Sequence, residues 1–258
     1  MVSRLTVLGC SGGIAQNLRT TSLLLDDDIL IDAGTGVADL SLNALAKIDN
    51  IFLTHSHLDH IVSLPFLLDS VGAGRGYPVT VYALTETIET LKSHIFNNRI
   101  WPDFSRIPSP QQPFVSFRAI SVGEHIDLKS RRITALPAHH TVPAVGYTIT
   151  CNETTIAFSG DSGPCERFWL ALNDAPNLTH LILETSFTNE DQYLADLSRH
   201  YCPATLAEAI MALRQRPEIW ISHLKPGQAQ QIMAQLTADE GMRKQHPTAL
   251  TVGQILSF

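Results

Sequence analysis

Apolar positions along this chain come in short runs broken by glycine, proline and aspartate, and that spacing predicts strands alternating with helices. Arg4 to Leu8 reads as a strand that ends in the loop Gly9-Cys10-Ser11-Gly12-Gly13. Thr20 to Leu25 and Ile29 to Asp32 read as a hairpin, with Asp26-Asp27-Asp28 at its turn. A second glycine loop, Asp32 to Gly36, leads to a predicted helix over Val37 to Leu45. Asn50 to Leu53 is a buried strand, and Leu58 to Leu64 has helical spacing until Pro65, which is expected to break or kink it. Val79 to Ala83 is a strand, Glu86 to Phe96 a helix, and Pro102, Pro108, Pro110 and Pro113 mark an irregular loop. Strands follow at Val115 to Ile120, Arg132 to Pro137, Gly146 to Cys151, Thr155 to Ser159, His180 to Glu184 and Glu218 to Ser222. Helices are predicted at Cys165 to Leu172, Pro203 to Arg214 and Gly227 to Leu236, with a last strand from Thr248 to Leu256. No internal repeat or low-complexity linker divides the series. An α/β fold follows, with two sheets covered by helices in a four-layer αββα sandwich, as one domain over residues 1–258.

Composition narrows the picture. The 258 residues are 44% hydrophobic and 17% charged, which supplies a large core. A net charge of −7 repels polyphosphate and disfavours a general nucleic-acid binder. Cys10, Cys151, Cys165 and Cys202 are scattered with no CxxC pair, which argues against a disulfide framework or a cysteine zinc site and for a reducing compartment. No signal-peptide core and no bilayer-length apolar stretch is visible, so the expected location is cytoplasmic and away from membranes.

The chemistry concentrates in His55-Ser56-His57-Leu58-Asp59-His60. Imidazole and carboxylate are zinc ligands, and four such side chains in six residues suit a two-metal site better than a polar helix cap. His55 and His57 follow a strand and can face one ion; Asp59 and His60 open a helix and can face another. His140, Asp161 in Ser159-Gly160-Asp161, and His223 in Ile221-Ser222-His223 each stand just past a predicted strand.

These motifs resemble the metallo-β-lactamase superfamily over almost the whole chain. The resemblance implies the αββα sandwich with metals at one edge. His55, His57 and His140 would hold one zinc, Asp59, His60 and His223 the other, and Asp161 would bridge them. Manganese or iron suits the same donors. His57 stands where a carboxylate would suggest a di-iron redox member, so hydrolysis is favoured.

Further segments resemble the class II 3',5'-cyclic-nucleotide phosphodiesterases: Phe96 to Phe104 with Arg106-Ile107-Pro108, Leu183 to Phe187, Ser198 to Pro203, and Ser222 to Pro226. The family hydrolyses cyclic AMP or cyclic GMP to the 5'-monophosphate, by attack of a metal-bridging hydroxide. Two departures stand out: Arg199 replaces a small residue, and Cys202 a threonine. The implied catalytic set is Asp59, His200 as the acid and Glu184 as its orienting partner. Trp101, Asn97 and Asn98 are candidates for the base, with core packing and helix capping as their ordinary alternatives. Related enzymes are often dimers, so a homodimer is implied. Rival readings are a transfer-RNA 3'-processing endonuclease, which would want a basic arm, another phosphodiester or thioester hydrolase, and a zinc-bound interaction protein without catalysis.

Overall fold

The computed structural model describes residues 2–258. Its strands, in chain order, are β1 (Arg4–Gly9), β2 (Ser22–Leu25), β3 (Ile29–Ile31), β4 (Asn50–Phe52) and β5 (Val79–Ala83). A small hairpin, β6 (Pro108–Ser109) and β7 (Gln112–Pro113), precedes β8 (Val115–Ala119). Then come β9 (His125–Leu128), β10 (Arg131–Pro137), β11 (Val145–Cys151), β12 (Thr154–Phe158), β13 (Leu178–Glu184), β14 (Glu218–Ser222), β15 (Thr248–Ala249) and β16 (Ile255–Ser257). One seven-stranded sheet has the order β16-β1-β2-β3-β4-β5-β8, and the other β15-β14-β13-β12-β11-β10-β9. Each sheet is antiparallel along one side and parallel along the other, from β3 to β8 and from β12 to β15.

The period-two alternation of strands explains the layers. Ile29 and Ile31 of β3 join Phe52, Tyr147, Phe158 and Ile182 between the sheets, while Leu30 turns outward to a second core. That second core is closed by the helix Leu64–Val71, through Leu64, Leu67, Leu68 and Val71. In β13, Leu181 and Leu183 face a third core with Phe168, Trp169, Leu206, Ile210, Ile232 and Leu236 from helices Glu166–Asn173, Pro203–Ile210 and Ala229–Ala238. The result is the expected four-layer αββα sandwich.

Several elements differ from the sequence pattern. Val37 to Leu45 is not one helix but a 3-10 turn, Thr35–Asp39, and a single α turn, Leu42–Leu45, whose amide at Ala44 is capped by the Ser41 hydroxyl. The break expected at Pro65 is present: the helix begun at Leu58 stops at Ile61, and Pro65 opens a new one. It stands in the first turn of Leu64–Val71, where its missing N–H would have had no helical partner. The helix predicted over Glu86 to Phe96 is α-helical over Thr85–Thr90 and widens to a π turn over Leu91–Ile95. Thr248 to Leu256 is two strands: β15 pairs with β14, whereas β16 crosses to the other sheet and pairs with β1, the chain turning at Gly253 with φ +85. The strand His125–Leu128 and the helices Gln192–Ser198 and Glu240–Lys244 were not predicted.

The triple-aspartate turn between β2 and β3 ties the two sheets together at the edge away from the strand ends that carry His55. The buried Arg131 at the start of β10 donates from Nη1 to Asp26 Oδ2 at 2.9 Å and from Nη2 to Asp28 Oδ2 at 2.9 Å. Lys129 Nζ donates to the same Asp28 oxygen at 2.8 Å. Chiefly through its hydrogen bonds to Arg131, Asp28 is held down at about 2. A carboxyl lowered in the folded state contributes stability above its ordinary pKa of about 4 and loses it as the pH falls through that range. Arg131→Met should therefore cost about 2 kcal/mol at neutral pH, less toward pH 2, measured by urea unfolding at several pH values. A pH-independent cost would show that the loss comes from packing alone.

Candidate metal centre

The ligand-type side chains arrive from the C-terminal ends of strands in both sheets. β4 ends at Phe52, and Leu53-Thr54 leads directly to His55. Tyr147 of the facing sheet donates its hydroxyl to the Leu53 carbonyl at 2.7 Å, and the Val145 amide donates to the Thr54 carbonyl at 3.0 Å, so the second sheet fixes where this loop starts. His57 is the N-cap of the one-turn helix Leu58–Ile61, which places Asp59 in its first turn, where a carboxylate meets the positive end of the helix, and His60 in its last. His140 follows β10, Asp161 follows β12, Glu184 ends β13 and His223 follows β14. Gly160, at φ +59, sits so close to its neighbours that a Cβ would lie 2.8 Å from the Val145 carbonyl oxygen and 3.1 Å from Thr54 Cγ2; its lack of a side chain brings Asp161 to the seam.

Two groups of ligand atoms result. His55, His57 and His140 form one, and Asp59, His60, Asp161 and His223 the other, with the atoms of each group within 4.8 Å of one another. The Asp161 Oδ2 atom lies 3.8 Å from His55 Nε2, 3.3 Å from His60 Nε2 and 3.2 Å from His223 Nε2, so one oxygen faces both groups. His223 Nε2 is also 3.2 Å from Asp59 Oδ2, and His140 Nε2 is 3.0 Å from His57 Nδ1.

The opposite nitrogen of each buried ring is spoken for. His60 Nδ1 donates to Asp32 Oδ2 at 2.7 Å. His55 Nδ1 donates to the Thr54 hydroxyl at 2.9 Å, which itself donates to Asp32 Oδ2 at 2.8 Å. His140 Nδ1 donates to the Arg199 carbonyl at 3.1 Å. His223 Nδ1 donates to the Ser186 hydroxyl at 2.8 Å, and that hydroxyl donates to Glu184 Oε2 at 3.1 Å. The lone pairs of the remaining ring nitrogens therefore point into the cluster. Among the described residues, the buried atoms His55 Nε2, His60 Nε2 and Asp161 Oδ1 have no hydrogen-bond partner. Orphaned acceptors at this density are expensive without a cation between them, and a nitrogen and oxygen donor set suits zinc, manganese or iron.

Protonation does not follow that division at every ring: the Asp161 and Asp32 carboxylates outweigh burial and raise His60 well above the ordinary imidazole value. Burial pushes His55 and His57 below the ordinary imidazole value and takes His140 down to about 4, which leaves them neutral, the form that binds metal. Burial alone would raise Asp161, but His223 and His60 hold its carboxyl well below the usual range. His200 goes the other way. Burial lowers it, yet the Glu184 carboxylate, 2.8 Å from its Nδ1, outweighs burial and raises it. The ligand atom of His200 lies within 4.8 Å of those of His140 and Asp161, so a ring that favours the protonated form stands beside the cluster.

The base-recognition candidates make different contacts. Asn97 Oδ1 accepts from the amides of Arg99 and Ile100, and its Nδ2 donates to the Ser93 carbonyl. Asn98 accepts from the Asp103 amide, and Trp101 packs edge-on against Phe66 with ring centroids 5.0 Å apart. None of these contacts joins the three to the histidine cluster. Asp32, Thr54 and Ser186 escaped the sequence reading. Ser186 lay unremarked within the Leu183 to Phe187 segment, and Asp32 stood out only as a charged residue closing an apolar strand, where it has φ 57 and is completely buried.

A model described as a beta-lactamase superfamily domain matches residues 27–242. The chain belongs to that superfamily. Its fold is the metallo-β-lactamase fold: unliganded yeast PDE1 superposes with a TM-score of 0.82 at 18% identity, covering 100% of this chain and 99% of that one. The metallo-beta-lactamase fold protein YhfI from Bacillus subtilis gives 0.77 at 19%, with the same coverage. A probable 3',5'-cyclic-nucleotide phosphodiesterase from Yersinia pestis is 25% identical, over 85% of this chain and 77% of its own length. Ribonuclease Z from Clostridium beijerinckii is 32% identical over 55% of this chain and 47% of its own, about half of that enzyme. Membership in this superfamily supports a metal-dependent hydrolase. Among the described residues no helix is long and apolar enough to cross a membrane.

Replacing Asp32 by Asn keeps the shape but removes the carboxylate that orients His60. Metal affinity should fall by about 10- to 100-fold, measured by competition with a chelating dye. An unchanged affinity would show that His60 is held by packing instead.

Proposed function

We propose that the protein is a dinuclear-metal phosphodiesterase that hydrolyses 3',5'-cyclic nucleotides to 5'-monophosphates. The observation that carries this reading is the His200–Glu184 pair beside the two ligand groups. A sugar hydroxyl leaving from phosphorus needs a proton, and a histidine whose charged form is favoured can give one. Glu184 is buried, accepts from His200 Nδ1 and takes the Ser162 amide at 3.1 Å, so it fixes the ring and leaves Nε2 to deliver the proton. Two divalent ions, zinc by preference, held by His55, His57 and His140 and by Asp59, His60 and His223, with Asp161 between, would polarise the phosphate and activate a water. Asp59, its Oδ2 atom 3.2 Å from His223 Nε2, would share the second ion with that ring and add a negative charge that balances it.

The similarity to the Yersinia pestis protein over most of both chains supports the cyclic substrate. A net charge of −7 disfavours the transfer-RNA alternative, which must grip a polyphosphate chain. In this reading Trp101, paired with Phe66, offers an aromatic face to the base, while Asn97, its amide spent on the loop, shapes that loop. The partner is a small cyclic nucleotide, not a nucleic acid.

Purified protein should carry close to two divalent ions per chain and release 5'-AMP from cyclic AMP, read by chromatography. Cleavage of precursor transfer RNA with no turnover of cyclic AMP or cyclic GMP would sink the proposal. His200→Ala should keep both ions and lower kcat by about 100-fold or more. Loss of metal from that variant would make His200 a ligand instead of the acid.

A further inference from the structure

Arg199 is one of the two residues at which the sequence leaves the pattern of the enzymes it resembles, and its surroundings give it a job. It ends the helix Gln192–Ser198 with φ 54 and ψ 55, in the left-handed region that favours glycine. An arginine there is strained, and such strain persists where the surroundings impose it. Two bonds do so. The Arg199 carbonyl accepts from His140 Nδ1 at 3.1 Å, and the Arg199 guanidinium reaches back to donate from Nη1 to the His140 carbonyl at 2.6 Å. One residue thus holds both the ring and the backbone of His140. The Arg199 backbone also packs on Gly163, where a Cβ would lie 3.3 Å from the Arg199 carbonyl carbon. Gly163 in turn donates its amide to the His139 carbonyl at 2.9 Å, and Ser162 takes the His139 amide at 2.9 Å. The three loops that carry His140, Asp161 and His200 therefore meet at this residue.

We infer that Arg199 is a positioning residue, a two-ended clasp that fixes His140 in the orientation and tautomer an ion in the three-histidine group requires. The inference rests on the reading that His140 holds a metal ion. Glycine at this position would keep the carbonyl and relieve the backbone but lose the guanidinium end. Stability and metal binding should then move in opposite directions, which a merely structural residue does not produce.

The test uses the full chain with Arg199→Gly and Arg199→Lys. Melting of the metal-free proteins, zinc affinity by chelator competition, and the visible spectrum with Co2+ are measured for each. Metal-free Arg199→Gly should melt no lower than the parent, bind its weaker zinc about 10-fold less tightly and show an altered Co2+ spectrum. Arg199→Lys, which can still donate to the His140 carbonyl, should recover part of the affinity. Parental affinity and spectrum in Arg199→Gly would overturn the clasp, as would a metal-free melting point that falls in step with affinity. A parent chain that binds no metal overturns the metal reading itself, and with it the clasp.

Discussion

Everything at the site follows from crowding lone pairs. Five imidazoles and two carboxylates meet at one seam with their accepting atoms inward, and buried acceptors that face only each other raise the free energy of the folded chain. A cation between them turns that cost into binding energy, which is why a metal site and a strained, partner-poor cluster look alike before the ion is added. The chain reaches this state by tying down the far side of each ring. Asp32, Thr54, Ser186 and the Arg199 carbonyl are all acceptors placed behind a histidine, and each one decides which nitrogen carries hydrogen.

Two of these supports lie in left-handed backbone, Asp32 and Arg199, and so does His223 of the cluster. Such conformations cost of order 1–3 kcal/mol each and survive only when neighbours over-determine them. Here the over-determination comes from the sandwich. The parallel halves of the two sheets point their C-terminal ends at the same edge, and the loops leaving them have little room. Gly12 shows how little, since a Cβ on it would fall 2.5 Å from the His223 carbonyl oxygen.

The clustered histidines and aspartates were legible because metal chemistry limits the residue types, and because apolar strands that end in histidine or aspartate are uncommon enough to notice. The layers were legible because β3, β4 and β13 alternate cleanly. What hid was of two kinds. Elements with weak apolar patterning were missed: the helix Gln192–Ser198 buries only Ala195 while Tyr193, Leu194 and Leu197 stay exposed, so it has no core-facing stripe to read. Supports that act through a backbone carbonyl or a hydroxyl were missed too, since a carbonyl is common to every residue and Ser186 looks like any serine. The break in Thr248 to Leu256 belongs with these. Its residues suit a strand throughout, and only the pairing with β14 and then β1 shows that the chain changes sheets.

That change of sheets governs when the molecule can be complete. One edge of β1, the first strand described, stays unpaired until β16, the last, lies against Leu5 and Thr6. The cluster is assembled over a shorter span, from His55 to His223, that still takes in both sheets. Both contacts join residues far apart in sequence, and loop closure of that size is slow. A nascent chain would display the histidine loop long before the strands that give it geometry exist. Any ion captured by the early loop would be held in a half-site, and tight binding would have to await the closing of the whole sandwich.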